Sequence, residues 1–314
     1  FRSTEVFGKT ILSRIESISG IEMPLFKDYL KPDSLGQALQ YLQEVNEAVV
    51  IAGGTDLILK MKTEQVQGKR LIDISDLKEL ASVTQTDDGL IIGAGVKLAT
   101  IEKLSNHFDG YGIVSDAASL IGSPQIRNLG TIGGNLCNAS PSADLSAPLL
   151  ALNAKVKITS VVSQRVIPLE NFFIGPSKTV LQSEELLTAV QIPRPEAPSG
   201  SVYLKHSYRR AMDLAIVGVS SFLWREKPGL SCRLALSAVA PTPLRAYEIE
   251  ELISGENELT EELLVSASST AEKIISPLTD VRATKEYRLA MARELVARAL
   301  SESYQELIQR AEEQ

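Results

Sequence analysis

Cysteine and histidine are nearly missing from this chain: Cys137 and Cys232 stand far apart, and so do His107 and His206. With no CxxC pair and no clustered histidines, nothing supports a disulfide framework, a structural zinc site or an iron–sulfur cluster held by this chain alone. Each cysteine reads as a small buried apolar residue in a reducing cytoplasm. A stripe of positive charge is also lacking. The 32 basic residues are scattered among 39 acidic ones, which gives a net charge of -7 and argues against a nucleic-acid partner. Long apolar runs are absent too: the stretch from Leu214 to Trp224 is broken by serines and falls short of a membrane span of about 20 residues. Residues 1–23 lack the charged-then-apolar order of a signal peptide and read as a loosely attached leader or cloning remnant. This scarcity of nucleophiles and acid–base groups leaves the chemistry to a bound cofactor. No catalytic residue and no metal ligand is therefore assigned to the chain.

Two glycine pairs stand out from this background. Gly53-Gly54 lies in IAGGTDLILKMK and Gly133-Gly134 in TIGGNLCNASPSADLSAPLLAL, within a chain of 314 residues that is 44% apolar and long enough for about two or three domains. Glycine has no Cβ, so its backbone can lie against a bulky anion and point N–H groups at it in turns closed to other residues. Two such turns are expected to grip a pyrophosphate from both sides.

Around the first pair, Ser34 to Leu42 has helical spacing behind Pro32 and a capping Asp33 or Ser34. A β-branched run, Ala48 to Ile51, enters the turn, and Leu57 to Lys62 begins another helix. Leu71 to Ile74 and Leu90 to Ile92 read as short strands, with an amphipathic helix over Thr100 to Leu104. After the second pair, a helix is expected near Pro148 to Leu152, with Asp144 just ahead of it and free to reach a ligand. Lys155 to Thr159 and Arg165 to Pro168 suggest a hairpin, and Glu185 to Ile192 a strand. The Pro, Gly and Ser cluster from Pro193 to Gly200 reads as a linker. Three strands, Val202 to Tyr208, Ile216 to Leu223 and Arg233 to Val239, then precede helices over Glu261 to Ile275 and Thr284 to Ile308. The last carries Tyr287, Met291, Leu295 and Ala299 as a stripe.

The two glycine segments, together with EELLTAVQIP, YLKHSYRRAMDLAIVGV and TDVRATKEYRLAMARELVARAL in that order, resemble the FAD-binding medium subunit of the molybdenum hydroxylases. That family includes xanthine dehydrogenase and carbon monoxide dehydrogenase, and the resemblance spans residues 24 to 308. It implies an α+β chain with the two-subdomain FAD-binding fold of the vanillyl alcohol oxidase (PCMH) type. The implied division is 24–78 for FAD-binding subdomain 1, 79–196 for subdomain 2, and 200–314 for a C-terminal domain of a three-stranded sheet with helices.

By the same resemblance, Val50, Ile51, Ala52, Gly53, Gly54, Thr55, Asp56 and Leu57 form a first pyrophosphate loop, and Thr131, Ile132, Gly133, Gly134 and Asn135 form a second. Asp144 would accept hydrogen bonds from cofactor hydroxyls, Leu187 would touch the cofactor through its backbone, and Lys205 would stand near the flavin ring as a fixed positive charge. The implied partners are a large subunit with a molybdopterin cofactor and a small subunit with 2Fe-2S clusters. Electrons from those clusters would reach FAD here and then NAD+, oxygen, a quinone or another carrier. Ile121 stands where animal-type xanthine dehydrogenases place an aromatic against the flavin, and Ala211-Met212 where they carry acidic residues. Two alternatives remain open: a self-contained flavin oxidase or dehydrogenase of the vanillyl alcohol oxidase type, and a scaffold module that has lost the cofactor.

Overall fold

The computed structural model describes residues 26–313 apart from residues 64, 67, 68 and 228, so the expected leader at 1–23 lies outside the described residues. Its strands fall into three main sheets. The first unit runs β1 (Phe26–Leu30), α1 (Leu35–Glu44), β2 (Ala48–Ile51), α2 (Leu57–Lys62) and β3 (Lys69–Asp73). β3 lies between β1 and β2 and is parallel to both. Ser34 caps α1 by accepting from the Gln37 amide, and Ala38, Leu39 and Leu42 bury one face of that helix under the sheet. β2 therefore delivers the chain to the first glycine pair at the end of a covered parallel strand.

The second unit begins with the hairpin β4 (Val83–Thr86) and β5 (Gly89–Gly93). Five short helices follow: α3 (Leu98–Ile101), α4 (Gly112–Ser119), α5 (Pro124–Leu129), α6 (Ile132–Cys137) and α7 (Ser146–Ala151). The strands β6 (Lys155–Thr159), β7 (Gln164–Pro168), β8 (Phe173–Gly175), β9 (Lys178–Thr179) and β10 (Leu186–Pro193) complete it. The main sheet has the antiparallel order β4-β5-β10-β6-β7, and β8 pairs with β9 apart from it. The expected hairpin at 155–168 is present, whereas the helix expected over Thr100 to Leu104 is broken. α3 stops at Ile101 and a 3-10 turn takes over at Leu104–Asn106. Ile101 and Leu104, both fully buried, hold the two short turns against the core, so the apolar spacing is real although the helix is not continuous.

The third unit is an antiparallel sheet of β11 (Ser199–His206), β12 (Val217–Glu226), β13 (Gly229–Ser237) and the two-residue β14 (Leu244–Arg245). α8 (Tyr247–Ile253), α9 (Glu261–Ile274) and the 28-residue α10 (Lys285–Glu312) cover one of its faces. The sequence expected three strands; the fourth is a short edge that pairs only Ala235 and Leu236 of β13. The expected linker at 193–200 shrinks to residues 194–198, since β10 ends at Pro193 and β11 starts at Ser199. On α10 the buried residues are Arg288, Ala292, Leu295, Val296, Ala299, Leu300, Ser303 and Leu307, while Tyr287 is 42% exposed. A strict four-residue stripe drifts around a helix of 3.6 residues per turn, and the drift of about 120° between Ala299 and Tyr287 carries its first member into solvent. The opposite face of the sheet joins the second unit: Tyr203, Phe222 and Ala235 belong to the same apolar cluster as α4, α6 and α7.

Candidate functional site

A cleft of about 220 Å³ is lined by Val50 to Leu57 on one side and by Gly130, Thr131, Gly134 and Asn135 on the other. The two glycine segments, distant in sequence, thus face one another. They are joined by backbone packing: a Cβ on Gly53 would come within 2.1 Å of the Leu129 carbonyl oxygen and 2.9 Å of the Gly130 Cα. Gly54 has φ of +69°, a left-handed turn that suits glycine. Gly133 is sealed under the cleft, its missing Cβ directed at Ala94, 2.7 Å away. Gly134 is exposed, and its added Cβ would meet only the Thr131 hydroxyl at 3.0 Å. Within each pair, then, one glycine permits protein to pack on protein and the other faces the cleft or turns the chain.

The two segments offer different chemistry. Among the described residues, the amides of Gly53, Gly54, Thr55, Asp56 and Leu57 have no acceptor within the protein. In the second segment the four amides from Ile132 to Asn135 are already engaged, and among the described residues only that of Thr131 has no acceptor. Ile132 donates to Val96 O (3.0 Å), Gly133 to Ala94 O (2.8 Å), Gly134 to Thr131 Oγ1 (3.0 Å) and Asn135 to Thr131 O (3.0 Å). The expectation that both segments present amides to an anion therefore needs correction. The second is not a free turn but the start of α6, with Thr131 as its N-cap, and capping uses the donors that a turn would leave open. What it presents instead are side chains. Asn135 Oδ1 is buried without a partner, at a usual cost of about 1–3 kcal/mol for such an atom.

Several lining residues were not anticipated: Lys60, Leu98, Ile126, Cys137 and Asn138. Lys60 Nζ donates to Asn138 Oδ1 at 2.6 Å, and Asn138 Nδ2 donates to Asp56 Oδ1 at 3.1 Å. The signal for Lys60 and Asn138 was spacing: Lys60 follows Asp56 by one helical turn, and Asn138, the C-cap of α6, follows Asn135 by three residues. Cys137, expected to be buried, is exposed here because Ile132 and Leu136 take the inner face of that short helix; Cys232 is buried.

Ile132 is buried beneath the cleft, while Asp144, Leu187 and Lys205 lie outside its lining. Asp144, expected to be free, is bonded on both oxygens. Lys205 Nζ lies 2.9 Å from Oδ2 and the Tyr203 hydroxyl donates to Oδ1 at 2.8 Å. The Asp144 and Lys205 side chains are only 7% and 6% exposed. Burial pushes the Asp144 carboxyl above the usual carboxylate range, and the charge and hydrogen bond of Lys205 and the bond from Tyr203 offset this only in part. This pair bridges the second unit and β11. Lys205 also donates to Leu120 O at 3.1 Å, while Arg127 donates to Ile121 O at 3.1 Å and pairs with Glu102 at 2.8 Å. Ile121, which lines the cleft, is thus fixed by cations bound to two consecutive carbonyls. Leu187 is buried in β10.

Comparison with known proteins agrees with this architecture. Residues 22–195, more than half of the chain, match the model for the FAD binding domain in molybdopterin dehydrogenase, and residues 202–303 match the CO dehydrogenase flavoprotein C-terminal domain. The chain is 32% identical over 281 residues to the xanthine dehydrogenase FAD-binding subunit of Escherichia coli O157:H7, covering 88% of this chain and 96% of that one. It is 31% identical over 283 residues to the carbon monoxide dehydrogenase medium chain of Hydrogenophaga pseudoflava, covering 88% and 96%. A solved structure of carbon monoxide dehydrogenase from Hydrogenophaga pseudoflava, lacking the Mo-pyranopterin moiety of its cofactor, superposes with a TM-score of 0.85 at 30% identity, covering 91% of this chain and 99% of that one.

Proposed function

The chain belongs to the FAD-binding medium subunits of the molybdenum hydroxylases, the family of xanthine and carbon monoxide dehydrogenases, and on that premise we propose that its cleft holds the diphosphate of FAD. The observation that carries this reading is the row of five unengaged amides from Gly53 to Leu57, which line one cleft with Asn135, whose Oδ1 is buried and unpartnered. Fixed donors at a concave backbone replace the water that would solvate phosphate oxygens. An acceptor such as Asn135 Oδ1 suits a hydroxyl of the same cofactor. The cleft volume is just under the roughly 300–1,000 Å³ of sites that engulf a whole ligand, which suits a slot for the diphosphate with both ring systems extending beyond it.

The family makes this chain the flavoprotein subunit of an oxidoreductase. Its partners in this reading are a large subunit carrying the molybdopterin cofactor, which oxidises the organic substrate, and a small subunit carrying 2Fe-2S clusters, as in a heterotrimer. FAD, when bound, converts electrons taken singly from those clusters into a pair for an acceptor such as NAD+. The protein's own part is to hold and orient the flavin. Ile121, fixed by the cations on its own carbonyl and that of Leu120, forms part of the cleft wall, and Lys205 stands outside the lining, paired with Asp144 rather than as a bare charge. The reducing cytoplasm suits the two free thiols. Among the described residues no helix is long and apolar enough to cross a membrane.

Copurification followed by metal and flavin analysis tests the assignment. Molybdenum, iron and FAD are expected in one complex, with FAD following this chain when the subunits are separated. A complex whose flavin stays with another subunit, or which contains no flavin, would contradict it. Mixing the reduced complex with NAD+ and recording absorbance at the flavin band and at the NADH band tests the acceptor. Flavin reoxidation with matching NADH formation is expected, and oxidation by oxygen or a quinone alone would assign a different carrier.

A further inference from the structure

We propose that Lys60 binds the cofactor diphosphate directly, exchanging its hydrogen bond to Asn138 for one to a phosphate oxygen; this rests on the FAD reading given above. Lys60 is the one lysine or arginine among the described residues that line the cleft. Its ammonium group makes no ion pair among the described residues. Its bond to the neutral amide oxygen of Asn138, at 2.6 Å, uses one of three donors and leaves the charge uncompensated. Asn138 in turn links it to Asp56 through a 3.1 Å bond, so a neutral spacer separates the cation from the single carboxylate in the cleft lining.

The need for such a cation follows from the amides. From Ile132 to Asn135 every backbone amide is engaged and only that of Thr131 lacks an acceptor, so backbone groups can solvate a diphosphate mainly from the first loop. Peptide dipoles carry no net charge, whereas a diphosphate linkage brings about two negative charges beside the Asp56 carboxylate. Lys60, half-buried on a four-carbon stem, can swing from Asn138 to a phosphate oxygen without moving the backbone. When it does, Asn138 keeps its bond to Asp56 and exchanges an ammonium donor for water. No other protein–protein hydrogen bond has to break.

The test is calorimetric titration of the flavin-free full chain with ADP, which carries the diphosphate, and with riboflavin, which has no phosphate. In Lys60→Gln, ADP affinity is expected to fall roughly tenfold, the loss of one charge-assisted contact, while riboflavin affinity stays at the wild-type value. ADP binding should also become less sensitive to salt. Asn138→Ala, which frees the lysine, is expected to leave ADP affinity unchanged or tighter, and this variant carries the test if Lys60→Gln fails to fold. Equal weakening of ADP binding in both variants would mean that the pair only ties α2 to α6, and would overturn the proposal. Unchanged ADP affinity in Lys60→Gln would overturn it too, leaving the FAD assignment intact. A wild-type chain that binds neither ADP nor riboflavin would overturn both.

Discussion

Gly53 and Gly134 look alike in the sequence and do different work in the fold. The first lets two backbones touch, with the Leu129 carbonyl 2.1 Å from where a Cβ would stand; the second is exposed at the cleft, with only its own capping hydroxyl nearby. Gly53→Ala is therefore expected to cost about 1–3 kcal/mol of stability by forcing the two segments apart. Gly134→Ala should change stability by no more than about 0.5 kcal/mol, since alanine favours a helix and the crowding is confined to Thr131. Its effect should appear as weaker FAD binding. Thermal unfolding and FAD titration of both variants separate the two roles, and equal destabilisation by both would refute this division. The importance of these glycines was legible in the sequence; the reason for each was not. Which neighbour fills the space of an absent Cβ depends on long-range packing, here between residues 53 and 129. Asp144 shows the same limit: the sequence marked it as a polar residue before a helix, but its partners Tyr203 and Lys205 arrive from another unit.

Most elements were legible where a local rule fixed them, such as the Ser34 cap of α1, the β-branched run of β2 and the hairpin of β6 and β7. The nature of the second glycine segment was not, because Thr131 reads equally well as a turn residue and as an N-cap. A further feature hidden from periodicity is the start of α10. Thr284 caps it, and Arg288 in its first turn is buried, donating to Ile216 O and Ala238 O at 2.6 and 3.0 Å and to Asp280 at 2.8 Å. Partial burial pushes the Asp280 carboxyl up. The amides of Arg282 and Ala283, with Arg288, outweigh this and hold it down at about 2. A carboxyl whose pKa is lower folded than unfolded stabilises the fold fully above its unfolded pKa of about 3.9 and loses that contribution as pH falls through its folded value. Wild-type melting temperature is accordingly expected to exceed that of Asp280→Asn above about pH 4, with the two converging as pH falls toward 2. A gap that is constant across this range would show that the carboxylate's charge does not hold the helix start.

Across the whole molecule, the cleft is lined by the first two units and braced from outside by the third. The first contributes free amides and Lys60, the second contributes α6 and Ile121, and the third holds the Leu120 carbonyl next to Ile121 through Lys205. The order of five motifs pointed to this assembly through family resemblance, and the family assignment supports it. Residue spacing alone does not convey that one side of the cleft is rich in free amides while the other has used most of its own. The central claim is that these two sides hold one FAD between them. Its most direct test is calorimetric titration of flavin-free chain with FAD, comparing wild type with the Gly54→Asp, Gly134→Asp double variant. Aspartate tolerates the left-handed φ of residue 54 better than most side chains and Gly134 is exposed, so the variant should fold, as checked by circular dichroism. The account predicts one FAD per wild-type chain and no measurable binding in the folded double variant. Wild-type affinity retained by that variant would contradict it.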